Sequence, residues 1–332
     1  MNLQDARLRH CKQETAAQAL SDPYRVAVSL WKGELLDLTA AQKKQIAVIR
    51  YFPRIAEAGR ADWFGGDQNW FKRKTQRYAS CGPVAAANTL ACFSAQVPAM
   101  ASALGLSFLP DGRIDKAHYL AFMEQIYKTV GTMEVPVWRN LVEKYPKEKP
   151  FIPPSLGREC SGFERGVLQH AAKHGVWLCA HHLLTSYVGK AEAMAFIQKG
   201  LQGGSPVTLL TLQNRHPLSV YWSGYEMPPK ATEKGMSRHF VSVVGIRTKS
   251  PGETELLVSS WGRICAIDFA ALYKSWQSPR AFGSALMYFT KSANERLTLR
   301  QILSAYGMIP ESLVKTASGA AKNIVTALEK RK

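Results

Sequence analysis

Gln76-Arg77-Tyr78-Ala79-Ser80-Cys81-Gly82-Pro83-Val84-Ala85-Ala86-Ala87-Asn88 is the stretch on which the fold turns. Proline is tolerated in the first turn of a helix, where its missing N–H has no partner to lose, and the alanines behind it are the strongest helix formers. Cys81 therefore stands at or just before the start of a helix. Unpaired backbone N–H groups and the positive end of the dipole at such a start favour an anion, and a thiolate is one. Cys81 is a candidate nucleophile; a small buried hydrophobe is its other reading.

A nucleophilic cysteine needs a base, and eight histidines are present. His239 stands out because Ser237-Arg238-His239-Phe240-Val241-Ser242-Val243-Val244-Gly245-Ile246 puts it at the head of an apolar strand, where a polar side chain can face a cleft. His181-His182 and His216 are its rivals. Cys81 and His239 lie far apart in the chain, as cysteine catalysis allows, since it needs only spatial adjacency.

Around these two residues the elements sort into helices first and strands later. Residues 1 to about 70 read as helical, with apolar clusters from Val26 to Trp31 and from Leu38 to Val48, and they end at Gly65-Gly66. That pair reads as a flexible linker, with a self-processing site as the second possibility. Helices follow over 83–93, 114–130, 163–174 and 190–201, then strands over 177–180, 207–212, 239–246, 255–259 and 285–289. The strands at 239–246 and 255–259 are suited to a hairpin, and 297–332 reads as two amphipathic helices broken near Gly307 and Pro310. Helices followed by strands predict an α+β fold.

Composition closes off several classes. The chain has 332 residues, 46% hydrophobic and 20% charged, enough for a sizeable core and unlike a disordered or fibrous protein. Six cysteines show no CxxC pair, no HExxH or phosphate loop occurs, and neither metal nor cofactor is expected. From Gly82 to Pro110 there is no charged residue, but the stretch is Ala-rich and holds Pro83 and Pro98, so it predicts buried helices and no membrane insertion. The polar first twenty residues lack the apolar core of a signal peptide, which predicts a cytoplasmic protein, with non-classical export still open. A net charge of +18 raises a nucleic-acid reading, yet the 43 basic residues are scattered and no specific nucleic-acid signature accompanies them. Lys72-Arg73-Lys74 with Arg77, just before Cys81, reads as a solvated rim or as a steering patch for an acidic peptide.

The order of motifs resembles a known superfamily. Cys81-Gly82-Pro83 opening a helix, Gly203-Gly204-Ser205-Pro206-Val207 leading into a strand, His239 opening another, and Val258-Ser259-Ser260-Trp261-Gly262 closing the next look like a papain-like cysteine peptidase. The likeness is nearest to the bacterial branch of double-glycine-leader peptidases and phytochelatin synthases. It implies a papain-like catalytic domain over 68–292, a helical N-terminal extension over 1–67 and a C-terminal helical appendix over 293–332. It further implies a peptide or protein substrate, Cys81 as nucleophile, His239 as general base, and an oxyanion hole made by the Cys81 N–H and an upstream glutamine. Gln76 is the candidate, but it stands nearer to Cys81 than the family spacing, which keeps Gln68 in view. Ser259 occupies the place of the His-orienting Asn or Asp and carries no charge. A Cys/His dyad, an acyl transferase or amidase on a small molecule, and a non-catalytic binding protein on the same fold all remain open.

Overall fold

Val207 to Thr211 and Leu256 to Ser260 are buried at every position, so at these two strands their sheet has no wet face. The computed structural model describes residues 46–49, 51–60, 62–131, 133–134, 155–156, 160–212, 220–222, 238–250, 253–277 and 283–305. In chain order the strands are β1 (Ile46–Val48), β2 (Arg54–Ala56), β3 (Trp63–Phe64), β4 (Ile114–Asp115), β5 (Met133–Glu134), β6 (Ser155–Leu156), β7 (Leu178–Leu184), β8 (Val207–Thr211), β9 (Val220–Trp222), β10 (His239–Ser250), β11 (Glu253–Ser260), β12 (Arg263–Asp268) and β13 (Ala285–Lys291). The helices are α1 (Lys74–Ala79), α2 (Cys81–Gln96), α3 (Pro98–Leu104), α4 (Lys116–Val130), α5 (Cys160–Lys173), α6 (Lys190–Gln202), α7 (Phe269–Trp276) and α8 (Glu295–Ala305).

The main sheet is antiparallel, in the order β7-β13-β8-β10-β11-β12-β9, with β1 also paired to β10. Successive residues point to opposite faces, and both faces are apolar. Val207, Leu209, Val241, Val243, Leu286 and Tyr288 share a core with Ile197 of α6 and Leu272 and Trp276 of α7. Leu210, Phe240, Ala285, Met287 and Phe289 share the other with α2, α4, α5 and Ile302 of α8. Each large side chain so enclosed contributes on the order of 2 kcal/mol of burial. The α+β class expected from the sequence is what the chain forms, with the 239–246/255–259 hairpin realised as β10 and β11.

The charge-free stretch is accounted for by α2, buried from Gly82 to Ser94, and by α3 beside it. Among the described residues no helix is long and apolar enough to cross a membrane. The helix expected up to residue 70 is not found where the chain can be followed: from Ile46 onward it forms β1, β2 and β3, because strand partners in β10 and β4 override the local apolar spacing. Residues 1–45, His216 and the second C-terminal helix expected after Pro310 lie outside the described residues.

Gly65-Gly66 is not a linker. Both are buried, Gly65 has a φ of +75°, and a Cβ on it would meet the Asn88 amide at 2.7 Å. A Cβ on Gly66 would meet Met123 Sδ at 2.5 Å. Glycine is required here by close approach to α2 and α4, which also removes the pair as an accessible processing site.

His170 of α5 is 3% exposed, its ring edge-on to Phe122 of α4 and 5.0 Å from His174. Burial, with the neighbouring His174 and Lys173, holds its pKa down at about 4. A base whose folded pKa lies below its unfolded value of 6.5 favours folding above that value, and the advantage disappears as pH falls toward 4. Urea unfolding at pH 7 and pH 4.5 should therefore show a loss in the wild-type protein that is about 2 to 3 kcal/mol larger than in His170→Phe. Equal losses in the two proteins would show that His170 is not held neutral.

Candidate active site

The helix start at Cys81 arises from α1 and α2 lying end to end. Ser80 ends α1, with its N–H donating to the Gln76 carbonyl at 3.0 Å, and opens α2, with its carbonyl accepting from the Val84 N–H at 3.0 Å. Cys81 is the first residue of α2, and a Cβ on Gly82 behind it would lie in ordinary van der Waals contact with the Phe240 ring. Burial pushes the Cys81 thiol up from its ordinary value, while the backbone N–H groups of Phe240, Gly82 and Cys81 itself pull it down. Burial prevails, so Cys81 rests as a thiol at neutral pH.

His239 opens β10 in the wall of the same cleft. It is 8% exposed, and burial lowers its pKa to about 4, so it rests as a neutral imidazole. Its Nε2 lies 2.8 Å from Ser260 Oγ, and its ring stacks on the Trp261 indole at 4.5 Å and 16°. Trp261 and Gly262 join β11 to β12 with φ of +49° and +69°, the paired left-handed geometry of a tight two-residue hairpin turn. For a tryptophan this backbone costs about 1 to 2 kcal/mol, and it sets the indole under the imidazole. The turn is docked in place: the Gly262 N–H donates to the Gly66 carbonyl at 3.0 Å, and the Gly262 carbonyl accepts from the Phe64 N–H at 2.8 Å.

The serine bonded to His239 is Ser260, not Ser259. Residues directly opposite on antiparallel strands point to one face, and Ser259 is opposite Ser242. Ser259 thus belongs to the Ser242 and Phe240 face, whereas Ser260, one residue on, belongs to the His239 and Val241 face. The Ser259 hydroxyl instead donates to the Phe64 carbonyl at 2.6 Å.

The cleft, about 230 Å³ including its solvent-open part, is lined by Cys81, His239, Gln68, Asn88, Ser259, Ser260 and Trp261, with Val84, Ala85 and residues 240–242 of β10 behind them. Gln76, on α1, is not part of this lining; Gln68 is, because Asp67 caps the short turn Gln68–Trp70 through its bond to the Asn69 N–H. Gln68 Nε2 donates to the Arg77 carbonyl at 2.9 Å, and its Oε1 is buried without a hydrogen-bond partner among the described residues. Asn88 sits seven residues beyond Cys81, two turns along the same helix face. Its Oδ1 accepts from the Gly66 N–H (2.9 Å) and Tyr119 Oη (2.8 Å), and its Nδ2 donates to Ser242 Oγ at 3.3 Å.

The rival histidines are engaged elsewhere. His181 and His182 lie on β7, separated from β10 by two intervening strands, with His181 Nε2 3.0 Å from Thr290 Oγ1 and His182 Nδ1 3.1 Å from Glu164 Oε1. Cys92 and Cys265 are fully buried, and burial pushes the Cys92 thiol up to about 12. Among the described residues no group of His, Cys, Asp and Glu could hold a metal ion. No protein-family model matches this chain, and no curated protein is similar to it.

The two serines give separable outcomes. In Ser260→Ala the ¹⁵N resonances of His239 should shift as the Nε2 bond is lost and the tautomer balance changes, whereas Ser259→Ala should leave them in place and lower stability by about 1 to 2 kcal/mol. The opposite assignment of effects would return the orienting role to Ser259.

Proposed function

We propose that this protein is a thiol-dependent acyl-transfer enzyme of papain-like architecture, a cysteine peptidase that hydrolyses a peptide or isopeptide bond. The observation that carries the reading is the pairing, in one cleft, of a cysteine at a helix N-terminus with an imidazole whose Nε2 is tied to a serine. The chain order supports the architecture: Cys81 on a helix packed over an antiparallel sheet, then His239 heading a strand, then Ser260 ending the next.

The chemistry follows from two neutral groups. With Nε2 bonded to Ser260, the ring nitrogen left for proton exchange is Nδ1. As Cys81 Sγ attacks the substrate carbonyl, the thiol proton passes to His239 and an S–C bond forms. The N–H of Cys81 and the Gln68 amide are the donors suited to the oxyanion. His239 returns the proton to the leaving amine as the C–N bond breaks, then draws a proton from water so that the thioester is hydrolysed. Ser260 can hold the ring but cannot neutralise an imidazolium, which agrees with a base that stays uncharged at rest.

A simple ester tests this without knowledge of the natural substrate. p-Nitrophenyl acetate should acetylate Cys81, seen by peptide mapping, and the adduct should turn over in the wild-type protein. In His239→Ala acetylation should slow because nothing accepts the thiol proton, and whatever acetyl-enzyme does form should persist because nothing activates water; in Cys81→Ala both events should vanish. Wild-type turnover should fall as pH drops through about 4, where His239 takes up a proton. An adduct that forms at the same rate and persists equally with and without His239 would reduce the protein to a binding module on this fold.

A further inference from the structure

The cations near the cleft divide into two sets. On the β2/β4 side each is matched: Arg54 and Arg113 to Asp62, Arg113 also to Asp111, and Lys116 to Glu57 at 2.9 Å. On the α1 side Lys72, Arg73 and Arg77 are exposed and have no ion-pair partner among the described residues. Their arrangement is unfavourable in itself. Arg73 and Arg77 are one helical turn apart, the Arg77 N–H bonding the Arg73 carbonyl at 3.0 Å, and Lys72 and Arg73 stand at the positive end of the α1 dipole. Like charges so placed destabilise a short helix.

This set is fastened to the cleft. The Arg77 carbonyl holds the Gln68 amide that lines it, and Tyr78, 59% exposed, precedes Cys81 by three residues. The other wall carries a further cation: Arg238 is exposed, immediately precedes His239, and is held in the left-handed region with a φ of +53°. The cleft is thus approached between unmatched cations on the cysteine side and one on the histidine side. Such a rim raises the local concentration of anions and orients them before any contact with the reacting atoms.

We infer that this rim is a docking surface for an acidic peptide segment, which it presents to Cys81. The inference rests on the acyl-transfer reading only for what happens after docking. A polypeptide fits better than a nucleic acid because the cations flank a cleft floored by Cys81 and His239, and among the described residues Tyr78 is the one exposed ring beside it, with no row of exposed aromatics on which bases could stack.

The test uses the full chain with Cys81→Ala and a fluorescein-labelled peptide of alternating Glu and Gly, read by anisotropy at low salt. Binding should weaken about tenfold or more in Arg73→Glu/Arg77→Glu and again in Arg238→Glu, and should weaken as salt rises. The same charge change at Lys199 and Lys274, on helices of the opposite sheet face, should have little effect. In protein retaining Cys81, the peptide should slow its alkylation by iodoacetamide. Binding that ignores the rim substitutions, or leaves Cys81 unprotected, would overturn the inference. So would a single-stranded oligonucleotide that binds more tightly than the peptide and is lost with the same substitutions. Ester turnover without acidic-peptide binding would remove the rim and leave the enzyme; protection of Cys81 without turnover would do the reverse.

Discussion

One buried amide holds the two walls of the cleft in register. Asn88 is 2% exposed and joins α2 to the Phe64–Gly66 segment through Gly66, to α4 through Tyr119 and to β10 through Ser242. Its carbonyl oxygen accepts from two donors while its amide nitrogen donates to a third group, and the planar amide sets these partners at a fixed separation. Losing any of these bonds would leave a polar group dry, at about 1 to 3 kcal/mol, so the arrangement is all or nothing. Asn88 is two turns from Cys81, and Ser242 is three residues from His239. Fixing this bond therefore fixes how the thiol-bearing helix sits over the strand that carries the imidazole.

The same bond explains the strap before the helix. Gly65 must lack a side chain because Asn88 fills the space, and once the strap is seated its backbone has groups to offer. Phe64 and Gly66 bind the Gly262 turn on both sides, and the Phe64 carbonyl binds Ser259. The strained Trp261 backbone is held by these contacts and keeps the indole stacked on His239. Helix, strap and turn form one continuous network of hydrogen bonds around the cleft.

How much of this the sequence disclosed depends on the range of the interaction. The start of α2 at Cys81 and the strand headed by His239 were legible because proline, alanine and alternating apolar residues act locally. The choice between Ser259 and Ser260 was not, since it turns on the register of β10 against β11, and a slip of one residue exchanges the faces. Counting along β11 from its pairing with Ser242 would have found Ser260, but that pairing is itself a tertiary fact. Gln76 lost to Gln68 for the same kind of reason: the glutamine nearer in sequence lies on α1, and the one in the cleft arrives on a separate turn capped by Asp67. Gly65-Gly66 misled because flexibility and close packing both call for glycine, and only the neighbouring Asn88 tells them apart.

The resting charge of the site follows from a contest the sequence could not decide. Three N–H groups at the head of α2 and on β10 favour a thiolate, and local reasoning stops there. Burial under Phe240 and beside β10 acts on the same sulfur and outweighs them, and it keeps His239 neutral as well. An ion pair needs a charged or well-solvated third partner, and the hydroxyl of Ser260 is neither. A site so arranged does not hold its thiol ready ionised. If it performs the acyl transfer proposed above, the thiol ionises only as a carbonyl arrives and the proton has somewhere to go, and substrate capture falls to the unmatched cations outside the cleft, which act over about a Debye length without altering the neutral pair within. On the acyl-transfer reading, the buried pair and the charged rim thus divide the work between recognition at the surface and proton transfer beneath it.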